Sequence, residues 1–204
     1  MLLFLVVIHT VLIVLCNYFV QFSFDSEYGS FSLAMLLYPC IVILSDLTTR
    51  IMGPIHAQRV IFFSWFPALL LSLVITESRI AAASVCVYVC SQLLDIYLFS
   101  SIRSQLESDF KQQSKLWYYP PMMSAIVSQC LDTYLFYALA FSGSNDLWMR
   151  QNWVHIATAD YVFKIFVVFI FLLPCYRVCL QALLSYLDLP DSRTYLPINP
   201  ERVI

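Results

Sequence analysis

The nine-residue stretch Ser91-Gln92-Leu93-Leu94-Asp95-Ile96-Tyr97-Leu98-Phe99 returns 37 residues later as Ser128-Gln129-Cys130-Leu131-Asp132-Thr133-Tyr134-Leu135-Phe136, with seven of nine positions identical. In each copy a glutamine and an aspartate lie three residues apart, so on a helix both polar groups share one face. Each copy sits inside a run of apolar residues, Ile80 to Ile102 and Pro120 to Ser142, about the length that crosses a bilayer. An ionisable side chain at that depth is costly unless it faces a cavity or a partner, which makes it a functional candidate by default. The two copies therefore predict a helical membrane bundle with a polar interior.

The rest of the chain agrees with that reading. Its 204 residues are 61% hydrophobic and 12% charged, with a mean hydropathy of +0.78, a composition foreign to soluble domains. Six apolar segments are long enough to span: Leu2 to Val20, Phe31 to Met52, Val60 to Thr76, Ile80 to Ile102, Pro120 to Ser142 and Val154 to Leu173. The expected fold is an all-α membrane protein, a bundle of six transmembrane helices. Residues 1–188 are expected to form the six-helix membrane domain, followed by a proline-punctuated cytoplasmic tail over 189–204. Reading the first segment as a lipoprotein signal ending at Cys16 fits poorly. No Lys or Arg precedes it, and bulky Leu15 stands where a small residue should.

Basic residues near helix ends set the orientation. Arg50, Arg59, Arg103, Lys111, Lys115, Arg177, Arg193 and Arg202 fall on one side of a six-span layout, against Arg79 and Arg150 on the other. This asymmetry puts both termini in the cytoplasm. No basic patch points to nucleic acid. The three glycines, Gly29, Gly53 and Gly143, exclude a glycine-rich phosphate loop and leave close helix contacts to small residues such as Ala81, Ala82, Ala83 and Ser84. Trp117, Tyr118, Tyr119, Trp148 and Trp153 suit the two interfaces, and Pro67 and Pro174 are expected to interrupt helical hydrogen bonding.

Further polar groups join the repeated pair. Asp160 and Lys164 are one turn apart in the sixth segment, with the acid on the N-terminal side as an intrahelical ion pair prefers. Asp46 and Arg50 have the same spacing near the end of the second, where Arg50 can reach water, and read as gating or structural. Counted from helix ends, Asp132, Asp160 and Lys164 fall near mid-membrane, whereas Asp46 and Asp95 fall in the cytoplasmic third. Successive spans alternate in direction, so the two repeat copies run antiparallel and their Gln and Asp side chains approach one interior from opposite sides. Carboxylates and carboxamides beside aromatic rings suit a flat heterocycle with several N–H donors. The seven cysteines read as small packing residues, because no histidine or second cysteine pair converges on Cys86 and Cys90 or on Cys175 and Cys179. Neither a metal nor a cofactor is expected.

At these residues the sequence resembles the queuosine precursor transporter family, also called vitamin uptake transporter-like. The shared elements are Ser45-Asp46-Leu47-Thr48-Thr49-Arg50-Ile51-Met52-Gly53, Arg79-Ile80-Ala81-Ala82-Ala83-Ser84, Gln92-Leu93-Leu94-Asp95, Ser128-Gln129-Cys130-Leu131-Asp132-Thr133 and Ala159-Asp160-Tyr161-Val162-Phe163-Lys164, with Asn17-Tyr18 in the first helix. The resemblance implies six transmembrane helices in the inner membrane and uptake of a 7-deazaguanine base, 7-cyano-7-deazaguanine or its 7-aminomethyl relative. It implies substrate contacts from Asn17, Gln92, Asp95, Gln129, Asp132, Asp160 and Lys164. One departure is Gln129, where the family often carries asparagine; the longer side chain would reshape the pocket. The reading leaves room for proton coupling, with Asp160 placed to carry the proton, and for a homo-oligomer.

Three other readings compete. A fold-level similarity to the vitamin-binding components of energy-coupling transporters makes such a subunit the runner-up. An intramembrane aspartyl protease would need a dyad in glycine-flanked motifs, and neither Asp95 nor Asp132 has a neighbouring glycine. His9, His56 and His155 fall at or near helix ends and no Gly-x-Ser-x-Gly occurs, so an enzyme is not expected. In a purely structural subunit, the polar pairs would only fix helix packing.

Overall fold

The computed structural model describes residues 2–19, 22–26, 29–107, 118–144 and 147–186. Among these, seven α-helices follow in order: α1 Leu2–Phe19, α2 Tyr38–Met52, α3 Pro54–Ile75, α4 Ser78–Glu107, α5 Tyr119–Phe141, α6 Leu147–Val167 and α7 Leu173–Tyr186. Five stretches are long and apolar enough to cross a membrane: Leu2–Phe19, Pro54–Ile75, Ser78–Leu106, Tyr119–Phe141 and Leu147–Ile170. The expected inner loop, Arg103 to Tyr119, is helical up to Glu107, where α4 ends; 108–117 and the expected tail over 189–204 lie outside the described residues.

The second expected span is built differently from a continuous helix. Its first residues belong to a β-hairpin in which β1 Ser23–Ser26 pairs antiparallel with β2 Gly29–Ser32, Phe24 opposite Phe31. A 3-10 turn over Leu33–Leu36 then leads into α2, which is only 15 residues long. The all-α expectation is corrected to this extent. The two strands close this connection as a short antiparallel ladder. Pro39 sits in the first turn of α2, where its missing N–H has no intrahelical role to fill.

Gly53 makes the corner between α2 and α3. Its φ of +86° and ψ of 164° lie where a side chain is strained, and its N–H still caps α2 by donating to the Thr49 carbonyl at 3.0 Å. Pro54 then opens α3.

The segment expected as the sixth span starts at Leu147 rather than Val154, because the polar turn around Arg150 and Asn152 stays helical, with the Asn152 amide donating to the Trp148 carbonyl at 2.8 Å. Trp148 and Trp153 accordingly lie in the first turns of α6. At its other end the helix widens to a π segment, Val168–Leu172, before α7. Pro174 follows directly; it lacks the N–H that would bond the carbonyl four residues back, and its ring crowds that carbonyl, so the expected interruption takes this form.

The long α4 is the centre of the bundle and packs against both α5 and α3, while α1 packs on α3. One core cluster joins Ile13, Ile41, Ile61, Val85, Tyr88 and Ile96 from four helices. A second joins Leu47 and Phe99 to Tyr176 and Leu180 of α7. Fully buried alanines, including Ala57, Ala68, Ala81 and Ala125, allow close helix approach where glycine is scarce. Phe4, Val7, Phe62, Phe66, Val162 and Phe166 are exposed, as a lipid-facing surface requires. All seven cysteines are unpaired, and Cys86, Cys90, Cys175 and Cys179 lie on the exposed surface.

Candidate substrate-binding site

Helices α1, α2, α4, α5 and α6 surround a cavity of about 100 Å³. Its polar lining includes Asn17, Tyr38, Ser84, Asp132, Asp160 and Lys164, and Phe136 and Tyr137 add flat aromatic walls. The helical period accounts for this grouping. Asp132, Phe136 and Tyr137 recur at a spacing of four or five residues on α5, and Asp160 and Lys164 face the same space one turn apart on α6.

Lys164 is the hub. Its ammonium lies 3.2 Å from Asp160 Oδ2 and 3.5 Å from Asp132 Oδ2, donates to Thr133 Oγ1 at 3.1 Å, and stands 4.9 Å from the centre of the Tyr38 ring. The intrahelical pair expected from sequence is therefore one side of a three-helix junction. Two carboxylates against one ammonium leave the cluster one negative charge in excess. Asp160 Oδ1 and the Tyr38 hydroxyl have no hydrogen-bond partner among the described residues. A ligand bringing N–H donors would satisfy such acceptors, and burial makes that satisfaction worth more than in water.

Asn17 has a different part. Its amide nitrogen donates to Ser72 Oγ at 2.6 Å, its carbonyl accepts from Ser84 Oγ at 2.6 Å, and its backbone carbonyl accepts from Thr76 Oγ1 at 3.1 Å. One residue of α1 thus ties the ends of α3 and α4 to the cavity wall, so its geometry is that of a positioning residue.

The repeated phrase forms a reciprocal joint between α4 and α5. Ser91 Oγ donates to Asp132 Oδ1 at 3.0 Å, and Ser128 Oγ donates to Asp95 Oδ1 at 3.0 Å. A local two-fold exchange of the antiparallel copies carries one bond onto the other. The copies differ in their remaining partners. Asp132 meets Lys164 of α6, whereas Asp95 meets Asp46 of α2.

The seven residues implicated by sequence therefore separate into two groups. Asn17, Asp132, Asp160 and Lys164 line the cavity. Gln92, Asp95 and Gln129 are at most 1% exposed and lie outside its lining: Gln92 and Gln129 about one helical turn away along α4 and α5, roughly 5–6 Å, and Asp95 about two turns away along α4, roughly 10 Å. Both amide atoms of Gln92 and Oε1 of Gln129 have no partner among the described residues. Arg50 is half-buried: its guanidinium donates to the Tyr176 hydroxyl at 3.2 Å, and its carbonyl accepts from Arg103 at 3.2 Å. Tyr38, Thr133 and the two serines were not singled out by sequence. The serines headed each copy of the repeat, which was the available signal; Tyr38 carried none.

A bundle of apolar helices around a small cavity holding a lysine between two aspartates is the architecture of a multi-pass membrane transporter. Residues 73–178 match the family described as "Putative vitamin uptake transporter". The chain is similar to the queuosine precursor transporter of Escherichia coli K12, at 34% identity over 88% of this chain and 86% of the relative. It is similar also to a probable queuosine precursor transporter of Haemophilus influenzae, at 33% identity over 89% and 87% of the two chains. A third relative, a probable queuosine precursor transporter of Bacillus subtilis, is 27% identical over 65% of each. The chain belongs to the queuosine precursor transporter family, a family of transporters and not of enzymes, and with its several apolar helices it is a multi-pass protein of the inner membrane. No solved structure matches it.

Proposed function

We propose that the protein imports queuosine precursors, 7-cyano-7-deazaguanine and 7-aminomethyl-7-deazaguanine, and that the base is recognised in the cavity between α1, α5 and α6. The observation that carries this reading is the Asp132–Lys164–Asp160 cluster beside Phe136 and Tyr137. A carboxylate accepts two N–H groups from the edge of a guanine-like base, and the ammonium can donate to its ring carbonyl. The aromatic walls stack on its faces. The excess negative charge suits the cationic aminomethyl precursor without excluding the neutral cyano one. Gln92 and Gln129 form the next polar station along α4 and α5. In this reading α2 and its 3-10 lead-in supply a sixth span, and both termini are cytoplasmic.

The test is uptake of both labelled precursors by cells that lack their own transporter and cannot make queuosine. Uptake should appear with the protein and collapse in Asp132→Asn at unchanged membrane abundance. Unchanged uptake in that variant sinks the assignment of Asp132. Competition by excess unlabelled 7-deazaguanine separates a deazaguanine cargo from a vitamin.

A further inference from the structure

Asp46 and Asp95 form a second buried acidic site that the recognition of a base leaves unused. Both side chains have no exposed surface and face one another across the packed α2–α4 contact, between the clusters that hold Ile41 with Ile96 and Leu47 with Phe99. Asp95 Oδ1 is held by Ser128 at 3.0 Å, but Asp95 Oδ2 and both oxygens of Asp46 have no donor among the described residues. Gln92, one turn from Asp95 on α4 and equally buried, is also unsatisfied at both amide atoms.

Neither carboxylate of the pair makes an ion pair among the described residues. Arg50, one turn along α2, is the nearby cation, and its guanidinium is directed to the Tyr176 hydroxyl of α7. Arg103 of α4 bonds the Arg50 carbonyl. From α5 the pair meets only the neutral hydroxyls of Ser124 and Ser128. On the cavity side, Tyr38 and Asp132 are the neighbouring titratable groups, and Asp132 is matched to Lys164. Two ionised carboxylates would face one another inside the bilayer, which like-charge repulsion and desolvation both oppose. One proton between them removes a charge and creates the missing donor, since a protonated carboxyl can donate to its neighbour.

We propose that Asp46 and Asp95 together bind one transported proton, at a site distinct from the base cavity, and that its passage drives uptake. The inference rests on the transport reading above. The link to the cavity is the reciprocal joint: Asp95 and Ser91 belong to α4, Asp132 and Ser128 to α5, and each helix carries one donor and one acceptor of the pair of bonds. Asp132 cannot reorient toward a base without disturbing its bond to Ser91, and a shift of α4 against α5 disturbs the Ser128–Asp95 bond with it. A proton entering from outside loads the carboxyl pair, crosses with the base and leaves to the cytoplasm. No bond other than O–H is made or broken.

Reconstituted protein in liposomes tests this with 7-cyano-7-deazaguanine. Wild type should exchange labelled base by counterflow at equal pH, accumulate it about tenfold more under an inward proton gradient, and acidify the lumen as base enters. Asp46→Asn should retain counterflow and lose both the accumulation and the acidification. Gradient-driven accumulation that persists in Asp46→Asn overturns the proton site alone. So does wild-type entry without acidification, a measurement that holds even if the variant fails to fold. Absence of wild-type counterflow overturns the transport reading itself, and the proton site with it.

Discussion

Ser91 of α4 donates to Asp132 of α5 at 3.0 Å, and the same bond is made in the opposite direction by Ser128 and Asp95. The two most extensively packed helices of the bundle are therefore joined by a symmetric pair of polar contacts. Asp132 and Asp95 each keep one oxygen for other business: Asp132 faces Lys164 and the cavity, Asp95 faces Asp46. A single sequence phrase used twice supplies both a joint and two unlike sites.

Removing either serine should loosen that joint. Ser91→Ala and Ser128→Ala each delete a hydrogen bond to a carboxyl group, with an expected loss of about 1–2 kcal/mol. Because the α4–α5 interface is shared, the double variant should be non-additive. Melting of the detergent-solubilised single and double variants measures this; full additivity would show that the two bonds act independently.

Lys164 should be indispensable to uptake. Lys164→Met leaves Asp132 and Asp160 facing one another without their cation, and we expect precursor uptake to fall by about 100-fold or more, since a buried partner is left uncompensated. Lys164→Arg should restore charge but not geometry, because a planar guanidinium cannot reach Asp132, Asp160, Thr133 and the Tyr38 face as a compact ammonium does. Uptake rates normalised to membrane abundance decide both; near-normal rates in Lys164→Met would remove the lysine from the mechanism.

Asn17→Ala should act through the scaffold. It breaks the bonds to Ser72 and Ser84 that hold α3 and α4 to α1, at about 0.6 kcal/mol for each interhelical bond in a membrane. The expected outcome is a lowered melting temperature with a weakened affinity for the base. A variant that melts like wild type but fails to bind would instead make Asn17 a direct ligand.

Gly53→Ala tests the α2–α3 corner. At φ +86° no atom lies within contact distance of an added Cβ, so the strain is purely one of backbone, about 1–3 kcal/mol. Melting temperature should drop while a variant at exposed Arg59 leaves it unchanged.

Much of this molecule is legible along the chain. Apolar runs of bilayer length located the five long apolar helices, with starts up to seven residues late, and the i, i+4 spacing of Asp160 and Lys164 gave their ion pair, because both follow from the geometry of one helix. The composite second span was not legible: Phe31 to Met52 is apolar throughout most of its length, and hydropathy does not distinguish a strand and a 3-10 turn from α-helix. The early start of α6 escaped for a related reason, since polar residues end an apolar run without ending a helix.

The chain by itself determined that Gln92, Asp95, Gln129, Asp132, Asp160 and Lys164 lie inside a membrane bundle, and which of them share a helical face. Only the tertiary structure decided that Lys164 joins Asp132 to Asp160 while Asp95 turns to Asp46, and so that one expected site is two. Spacing within a helix is set by its 3.6-residue period. Pairing between helices depends on how each is rotated and how closely it approaches its neighbour, which the packing of residues such as Ala125 and Ala81 settles together.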